Sequence, residues 1–287
     1  MSALAPLPRL LIEPAIRAAL HEDLGRAGDV TSDAVIPPDA TAQAELRARE
    51  DGVAAGLDAA ALAFELMAPG IAVTAHVRDG DRIGAEAVLL TVSGSARAIL
   101  AAERVALNFA ARMSGIATET RGIADRIAHT PARIVCTRKT TPGLRLFEKR
   151  AVRAGGGANH RWGLDDAMLI KDNHIAAGGG VRSVLERARA SAGHMMVVEI
   201  EVDRLDQLAE VLAIGGADCV LLDNMPPETL REAVAMVARA ERRPVLEASG
   251  GIRPETAAAI AETGVDCLSA GWLTHSVRAL DLGLDID

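Results

Sequence analysis

Short apolar runs alternate with amphipathic stretches along the second half of the chain. Six such runs predict strands, at residues 134–137, 168–170, 196–202, 219–222, 245–248 and 267–269. Between them, apolar side chains recur at helical spacing in residues 181–192, 205–214, 227–240 and 254–263. Strands that alternate with helices predict βαβ units and a parallel sheet. Polar residues follow every strand and no GxGxxG follows the first, which favours a barrel over a dinucleotide-binding sheet.

The first half of the chain has a different pattern. Residues 14–22 predict a helix. Three shorter apolar runs, separated by glycines, predict strands at 42–48, 71–77 and 88–92. Residues 98–127 return to helical spacing, with a predicted break near Ser114 and Gly115, which indicates one long helix or two helices.

We therefore expect two domains in an α/β protein. Residues 1–130, with the bridging helix, form the smaller one, and residues 131–274 form the barrel-like one. A carrier domain for biotin or lipoate has similar glycine turns, but it needs a lysine at a hairpin tip, and no lysine precedes Lys139.

Composition narrows the class of protein. The 287 residues are 49% hydrophobic and only 2% aromatic, and the formal net charge is −8. Few aromatic residues and a negative charge argue against a nucleic-acid surface. We find neither a signal peptide nor a membrane span in the sequence. Three cysteines without CxxC spacing predict buried, reduced thiols, which indicates a cytoplasmic protein.

A basic run within this acidic chain predicts a polyanionic ligand. From Arg133 to Arg161 the sequence has eight Lys or Arg residues and one acid, Glu148. Like charges repel unless something negative lies among them. A small molecule with several carboxylates or phosphates is the simplest partner for such a cluster.

The residues that follow the six predicted strands are the candidate site, because active sites of parallel barrels lie at the carboxyl ends of the strands. In chain order they are Arg138 and Lys139, Lys171 to Asn173, Glu199 and Glu201, Asp223 and Asn224, Ser249-Gly250-Gly251, and Ser269-Ala270-Gly271. The two small-residue loops are phosphate candidates, since small residues let backbone N–H groups approach an anion.

Each candidate also has a plainer interpretation. Arg138 and Lys139 could be a solvated strand end, and His160 and His174 could be structural histidines. Glu201 and Asp223 could form salt bridges, accept hydrogen bonds from sugar hydroxyls, or hold Mg²⁺ through water. No spacing of His, Asp and Glu predicts a tight metal cage made by the protein alone.

Taken together, these motifs resemble the quinolinate phosphoribosyltransferase family, also called nicotinate-nucleotide pyrophosphorylase (carboxylating). The resemblance runs nearly end to end. The motifs that carry it are His21-Glu22-Asp23-Leu24-Gly25, residues 28–32, residues 112–118, Thr137-Arg138-Lys139-Thr140, Asn159-His160-Arg161, Lys171-Asp172-Asn173-His174, residues 199–202, Leu222-Asp223-Asn224 and residues 247–251. It implies an incomplete α/β barrel, a smaller N-terminal α/β sandwich joined by about residues 275–287, and a homodimer.

The resemblance also implies roles for individual residues. Arg138, His160, Arg161 and Lys171 would hold the two carboxylates of quinolinate, with Arg104 reaching in from the other subunit. Lys139 would contact phosphoribosyl pyrophosphate, and Glu201 and Asp223 would bind the ribose hydroxyls. Ser249, Gly250 and Gly251, with Ser269, Ala270 and Gly271, would bind the 5′-phosphate. Thr137 counts among the substrate-binding residues, and the catalytic residues would be Lys139, Lys171, Glu201 and Asp223.

The function implied is phosphoribosyl transfer to quinolinate, giving nicotinate mononucleotide, pyrophosphate and CO₂ in NAD biosynthesis. The Mg²⁺ cofactor would come with the pyrophosphate. Three alternatives stay open from the sequence. A molybdenum-transport-associated relative keeps this fold and some of the motifs. A Schiff-base aldolase could use Lys139 or Lys171, and a non-catalytic protein could bind phosphate.

Overall fold

A computed structural model describes residues 4–286, which form eleven helices and twelve strands. The helices are α1 (Arg9–Leu24), α2 (Val30–Val35), α3 (Leu57–Met67), α4 (Ala96–Arg126), α5 (Arg145–Ala154), α6 (Asp172–Ala177), α7 (Val181–Ser191), α8 (Leu205–Ile214), α9 (Pro227–Val237), α10 (Ala257–Ala261) and α11 (Trp272–His275). The strands are β1 (Thr41–Ala48), β2 (Gly52–Val53), β3 (Ala72–Ala75), β4 (Arg82–Ile83), β5 (Val88–Ser95), β6 (Arg133–Val135), β7 (Met168–Ile170), β8 (Val198–Val202), β9 (Cys219–Asp223), β10 (Val245–Ser249), β11 (Cys267–Ser269) and β12 (Leu282–Ile286).

The chain divides into two compact units. The N-terminal unit contains residues up to Arg121, then Thr140–Gly156, and the chain from Leu273 onward. The C-terminal unit contains Gly122–Lys139 and Gly157–Trp272. The chain thus leaves the C-terminal unit after Lys139 and returns to it at Gly157. The single domain boundary near residue 130 that the sequence predicts stays a prediction.

The N-terminal unit is built on an antiparallel sheet with the strand order β12-β1-β5-β3. Alternate residues of β1 are buried, namely Ala44, Leu46 and Ala48, as expected for a strand with one face on a core. The last strand, β12, pairs antiparallel with β1. The end of the chain therefore belongs to the same sheet as its beginning.

The long helix α4 is continuous, and the break predicted near Ser114 and Gly115 is wrong. Both residues serve packing instead. The Ser114 hydroxyl is fully buried, where it accepts a hydrogen bond from the Ala55 N–H at 3.0 Å and donates to the Ala55 carbonyl at 3.2 Å. A Cβ at Gly115 would lie 2.1 Å from the Arg278 carbonyl oxygen. Glycine is therefore used here for close backbone approach and not to end the helix.

The C-terminal unit is a six-stranded parallel sheet with helices between its strands. Its strand order is β6-β11-β10-β9-β8-β7. The unit's first strand in the chain, β6, thus pairs with its last, β11. Among the described residues β6 and β7 do not pair, so the barrel stays open between them. All six predicted strands are confirmed, and so is the incomplete barrel. Residues 157–159 lie beside the free edge of β6, where Ala158 N–H donates to Ile134 O at 2.8 Å and Cys136 N–H to Ala158 O at 3.2 Å.

The strand register places the polar strand positions on one face of this sheet. Successive side chains of a strand alternate between faces, and residues paired across strands share a face. One row contains Glu201, Leu221, Glu247 and Cys267. The next row toward the carboxyl ends contains Asp223, Ser249, Ser269 and Val135. Polar side chains from separate motifs are thus stacked in layers.

Several features lie outside the sequence predictions. Helices α2, α3, α5, α6 and α11 were not predicted. In α5 the density of charged residues obscured the apolar stripe. None of the helices within residues 4–286 meets the length and hydropathy needed to cross a bilayer. All three cysteines are free thiols, but only Cys136 is buried; Cys219 and Cys267 are half-buried, which corrects the prediction for those two.

Candidate active site

The carboxyl end of the parallel sheet collects most of the predicted site residues. Glu201, Asp223 and Ser249 are the last or next-to-last residues of β8, β9 and β10. Ser269 ends β11, and Lys171 directly follows β7. Because parallel strands end at one edge, the fold alone brings these side chains together.

Lys171 and Glu201 form an ion pair across β7 and β8. Lys171 Nζ lies 3.1 Å from Glu201 Oε2, with the lysine side chain 50% exposed and the carboxylate 15% exposed. His174 Nδ1 accepts a hydrogen bond from the Lys171 N–H at 2.9 Å, at the start of α6. His174 thus orients the backbone of Lys171, which agrees with the structural interpretation of this histidine.

Asp223 is the second carboxylate at this edge. Its Oδ2 accepts a hydrogen bond from Asn224 Nδ2 at 2.7 Å, and the Asn224 N–H donates to the Ser249 carbonyl at 2.8 Å. Asn224 has a left-handed backbone, with φ of 52°. The carboxylate is half-buried and retains acceptor capacity for hydroxyl groups.

The loop after β10 requires glycine. Gly250 has φ of +88°, and a Cβ there would lie 2.0 Å from Asn224 Oδ1. The backbones after β9 and β10 therefore approach more closely than any other residue permits. Beyond the loop, Trp272 Nε1 donates to the Ile252 carbonyl at 2.7 Å, which ties this loop to the chain after β11.

The segment beside β6 supplies His160 and Arg161. Arg161 Nη1 donates to the Ala167 carbonyl at 3.0 Å. Burial and the neighbouring Arg138 guanidinium, in that order, lower the pKa of Arg161. Arg138 Nε is buried and has no hydrogen-bond partner among residues 4–286. Two neighbouring guanidinium groups that repel each other form a site for an anion.

His160 lies against two buried carboxyl groups in the layer beneath these arginines. Its Nε2 is 3.0 Å from Glu199 Oε2 and 3.6 Å from Glu247 Oε1. Both glutamates are 6% exposed. Burial and the charge of Glu199 raise the pKa of Glu247 to about 7. Glu199 was among the strand-end candidates but received no specific role, and Glu247 was not a candidate. The signal for this cluster was two acids at inward positions of otherwise apolar strands.

These three side chains have metal-ligand identities, with candidate ligand atoms within 4.8 Å of one another. The proton positions oppose that use. The Arg161 N–H donates to His160 Nδ1 at 2.8 Å, so Nδ1 is the acceptor and the neutral ring carries its proton on Nε2. A protonated Nε2 has no lone pair for a metal ion. We therefore interpret the cluster as a hydrogen-bonded group.

Two predicted site residues, Thr137 and Arg104, do not belong to the group of side chains described above. The Thr137 hydroxyl accepts a hydrogen bond from the Lys139 N–H at 3.0 Å, which shapes the chain after β6 and presents an exposed Lys139. Arg104 lies on α4 in the N-terminal unit, 64% exposed, with Glu103 4.0 Å away. The structure of one chain therefore leaves the role of Arg104 as a prediction.

The basic residues between Arg133 and Arg161 are divided between the two units, which their number in the sequence does not show. Arg145, Lys149 and Arg150 belong to α5 in the N-terminal unit. Arg145 Nε donates to Thr140 Oγ1 at 2.9 Å, Arg150 Nε lies 3.6 Å from Asp79 Oδ2, and Lys149 is fully buried. The eight-to-one excess of basic residues thus overstates the charge available to a ligand.

Comparison with known proteins identifies similar chains over nearly the whole length. The family model described as quinolinate phosphoribosyl transferase, N-terminal domain, matches residues 29–114, and the corresponding C-terminal domain model matches residues 116–285. Nicotinate-nucleotide pyrophosphorylase (carboxylating) of Mycobacterium leprae (strain TN) is 47% identical over 94% of this chain and 95% of its own. Quinolinate phosphoribosyltransferase (decarboxylating) 2, mitochondrial, of Nicotiana glauca is 43% identical over 98% of this chain and 83% of its own.

A solved structure gives the same result at the level of fold. The crystal structure of NadC from Streptococcus pyogenes matches with a TM-score of 0.93 and 38% identity, over 99% of this chain and 100% of that one.

Proposed function

Because the chain belongs to the quinolinate phosphoribosyltransferase family, we propose that the strand-end site described above carries that family's reaction. The chain transfers the phosphoribosyl group of 5-phosphoribosyl 1-pyrophosphate to quinolinate and releases CO₂, a step of NAD biosynthesis. The observation that carries the assignment of this site is the Arg138–Arg161 pair, whose half-buried, mutually repelling guanidinium groups fit a dicarboxylate.

In this proposal quinolinate lies against Arg138 and Arg161, with Lys171 at the rim. Arg138 Nε, buried and without a partner among the described residues, donates to one carboxylate. Both ring nitrogens of His160 are engaged by protein groups, so His160 acts by holding the Arg161 backbone. The carboxylates of Glu201 and Asp223 accept hydrogen bonds from the ribose hydroxyls of the second substrate.

The two small-residue loops take the 5′-phosphate. Ser249, Gly250 and Gly251 follow β10, and Ser269, Ala270 and Gly271 follow β11, the strand paired with it. Neighbouring parallel strands present such loops side by side, with backbone N–H groups and the Ser249 hydroxyl as donors. The Ser269 hydroxyl and the Ala270 N–H already donate to Glu247 and to the Val135 carbonyl, so these two residues shape the loop. Lys139 is exposed beyond β6 and contacts the pyrophosphate group. In this proposal Mg²⁺ enters the site bound to phosphoribosyl pyrophosphate, so the metal ion is part of that substrate.

The reaction has two steps. The ring nitrogen of quinolinate donates its electron pair to C1 of the ribose, and the bond from C1 to pyrophosphate breaks, so that pyrophosphate leaves with the bonding pair. Lys139 stabilises this growing charge more in the transition state than in the ground state, and Mg²⁺ bound to the pyrophosphate would supply further positive charge. The pyridinium ring then accepts the electron pair of the bond to the 2-carboxylate as CO₂ departs, and a proton completes the product.

The other functions raised by the sequence receive less support. A Schiff-base lysine needs a neutral amine, which an apolar pocket provides. Lys171 instead forms an ion pair with Glu201 at 3.1 Å and is half-exposed. The family match likewise does not favour the molybdenum-transport-associated relative or a non-catalytic phosphate-binding protein.

Substrate choice tests the proposed site. Nicotinate lacks the 2-carboxylate and would leave part of the Arg138–Arg161 pair unpaired, which costs affinity. We expect kcat/KM for nicotinate to be at least about 10³-fold below that for quinolinate at equal phosphoribosyl pyrophosphate. Comparable values for the two acids would contradict the assignment.

We also propose a cytoplasmic homodimer in which Arg104 completes the site of the partner subunit. Exposed apolar side chains on α1 and α2 support an interface there: Leu10 is 84% exposed, Leu11 56%, Val30 64% and Val35 68%. Arg104 is exposed and has only a distant acid, Glu103 at 4.0 Å, among the described ion pairs. The three free thiols agree with a reducing compartment.

Mixed dimers test this assembly. Arg104→Ala and Lys139→Ala homodimers should both be nearly inactive. In a mixed dimer, one site combines an intact Lys139 with the intact Arg104 across the interface and should restore up to about half of the wild-type rate. Mixed dimers as inactive as both parents would show that Arg104 does not act across the interface.

A further inference from the structure

The layer directly beneath the strand-end site contains two carboxyl groups that no step above uses. Glu199 on β8 and Glu247 on β10 lie on the same face of the sheet, on either side of β9. Each residue is 6% exposed. Two ionised carboxylates this close in an apolar layer repel each other strongly, so the layer favours one charge over two.

Hydrogen bonding shows which carboxyl group carries that charge. His160 carries its proton on Nε2, because Nδ1 accepts the Arg161 N–H. The nearer acceptor for that proton is Glu199 Oε2 at 3.0 Å, whereas Glu247 Oε1 lies at 3.6 Å. Glu247 Oε1 is also buried without a hydrogen-bond partner among residues 4–286. Ser269 gives this carboxyl group a side-chain hydrogen bond, but an ionised Oε1 would have none, whereas a neutral carboxyl group costs less.

We propose that Glu247 retains a proton beside ionised Glu199, and that this proton sets the affinity of the site above it for dianionic quinolinate. Glu199 accepts from His160, and His160 holds the backbone of Arg161, so both glutamates act as positioning residues. The inference deepens the proposed function and rests on it. Loss of the Glu247 proton would add a second negative charge beneath Arg138 and Arg161 and weaken the binding of a dianion.

The direction of the effect follows from linkage. The pKa of Glu247 is raised to about 7, first by burial and then by Glu199. If a second charge on Glu247 opposes the dianion, the bound dianion must raise that pKa further, by reciprocity. Above about pH 7, quinolinate binding should therefore take up a proton, and the affinity should fall as the pH rises.

Two thiols also face the pair, and they do not titrate in this interval. Burial raises the pKa of Cys219 to about 12 and that of Cys267 to about 11, so both stay neutral thiols. Protonation of His160 would deprive the Arg161 N–H of its acceptor. The other groups that act on Glu247 or Arg161 are Arg138, Ser269 and Asp166. Asp218 acts on Cys219, and Asp266 and Arg133 act on Cys267. The hydroxyl of Ser269 does not ionise in this interval.

Titration calorimetry of the full-length protein with quinolinate tests the proposal. Heats measured near pH 8 in two buffers of different ionisation enthalpy give the number of protons taken up. We expect a fractional uptake for the wild type and a Kd that weakens about three- to tenfold between about pH 6 and pH 9. Glu247→Gln, which resembles the protonated carboxyl group, should show no uptake and a flat Kd over the same interval.

Glu199→Gln is the matched second variant. It keeps an acceptor for His160 but removes the charge that raises the pKa of Glu247, so its proton uptake should move to lower pH. Uptake in Glu247→Gln equal to that of the wild type would overturn the proposal. A wild type that binds quinolinate with no uptake would do the same. A wild type that binds no quinolinate at any pH would instead contradict the proposed function.

Unfolding provides an independent check that Glu247 titrates in the free protein. Its pKa is higher in the folded state, so the folded state binds more protons than the unfolded one between pH 4.5 and about 7. The free energy of unfolding of the wild type should therefore fall as the pH rises through this interval, relative to Glu247→Gln. Parallel curves for the two proteins would contradict the assignment of the proton to Glu247.

Discussion

Arg138 and Arg150 belong to the same basic run of sequence, and the fold gives them opposite neighbours. Arg150 has an acid beside it: its Nε lies 3.6 Å from Asp79, and the two side chains are 13% and 9% exposed. Arg138 instead has a second guanidinium beside it, Arg161, and no ion pair with an acid in the described part of the chain. The Nε atoms of both Arg138 and Arg150 are buried without a hydrogen bond, so the neighbouring charge is what distinguishes the two residues. A cation with a protein anion supports the fold, whereas a buried cation beside another cation indicates a place for a ligand.

The largest effect should come from removing the exposed lysine at the strand ends. Lys139→Ala should lower kcat by about 10²–10³-fold, because the leaving pyrophosphate loses a positive partner in the transition state. The free energy of unfolding should stay within about 0.5 kcal/mol of the wild type. Arg153→Ala, on the exposed face of α5, is the matched control and should retain kcat within about twofold. Equal losses in both variants would remove the distinction between the two regions.

The next effect concerns stability alone. Arg150→Met should lower the free energy of unfolding by about 3 kcal/mol, since it leaves Asp79 buried without its cation. Burial already raises the pKa of Asp79. The double variant Arg150→Met with Asp79→Asn should recover part of the loss, and urea unfolding measures both. A loss of quinolinate affinity without a loss of stability would assign Arg150 to the site instead of the fold.

A smaller effect separates the two substrates within the site. Arg138→Lys loses the forked guanidinium and should weaken quinolinate about 10- to 50-fold, with little change for phosphoribosyl pyrophosphate. Asp223→Ala should do the reverse, since its carboxylate is proposed to bind the ribose. Calorimetric titration of each ligand into each variant measures the four affinities. Similar losses for both ligands in either variant would refute the division of roles.

The alternating pattern of the second half predicted the sheet well, because each strand is a short apolar run with polar residues beyond it. The six strands were confirmed, and the carboxyl-end rule then placed Lys171, Glu201, Asp223 and Ser249 at one edge. In the N-terminal unit the same signal predicted β1, β3 and β5, whereas β2, β4 and β12 were not predicted as strands. The helix break predicted at Gly115 was wrong, because the sequence does not show that the Arg278 carbonyl packs against this glycine.

Partners across the sheet were beyond reach of the sequence. Glu247 lies in an apolar strand, and only the register of β8, β9 and β10 brings it to Glu199 and His160. The ion pair of Arg150 could not be predicted either, since nothing near Arg150 in the sequence indicates contact with Asp79. Local patterns thus predict elements and the edge at which they end. Charge balance depends on contacts between residues that are distant in the chain.

Stoichiometry tests most directly whether the strand-end site carries out decarboxylating phosphoribosyl transfer. Quinolinate labelled with an isotope of carbon at its 2-carboxylate is mixed with phosphoribosyl pyrophosphate, Mg²⁺ and the protein, and labelled CO₂ and pyrophosphate are counted together. We predict one labelled CO₂ for each pyrophosphate with the wild type and with Arg153→Ala, and nearly none of either with Lys139→Ala. Pyrophosphate released without labelled CO₂, or full activity in Lys139→Ala, would contradict the account.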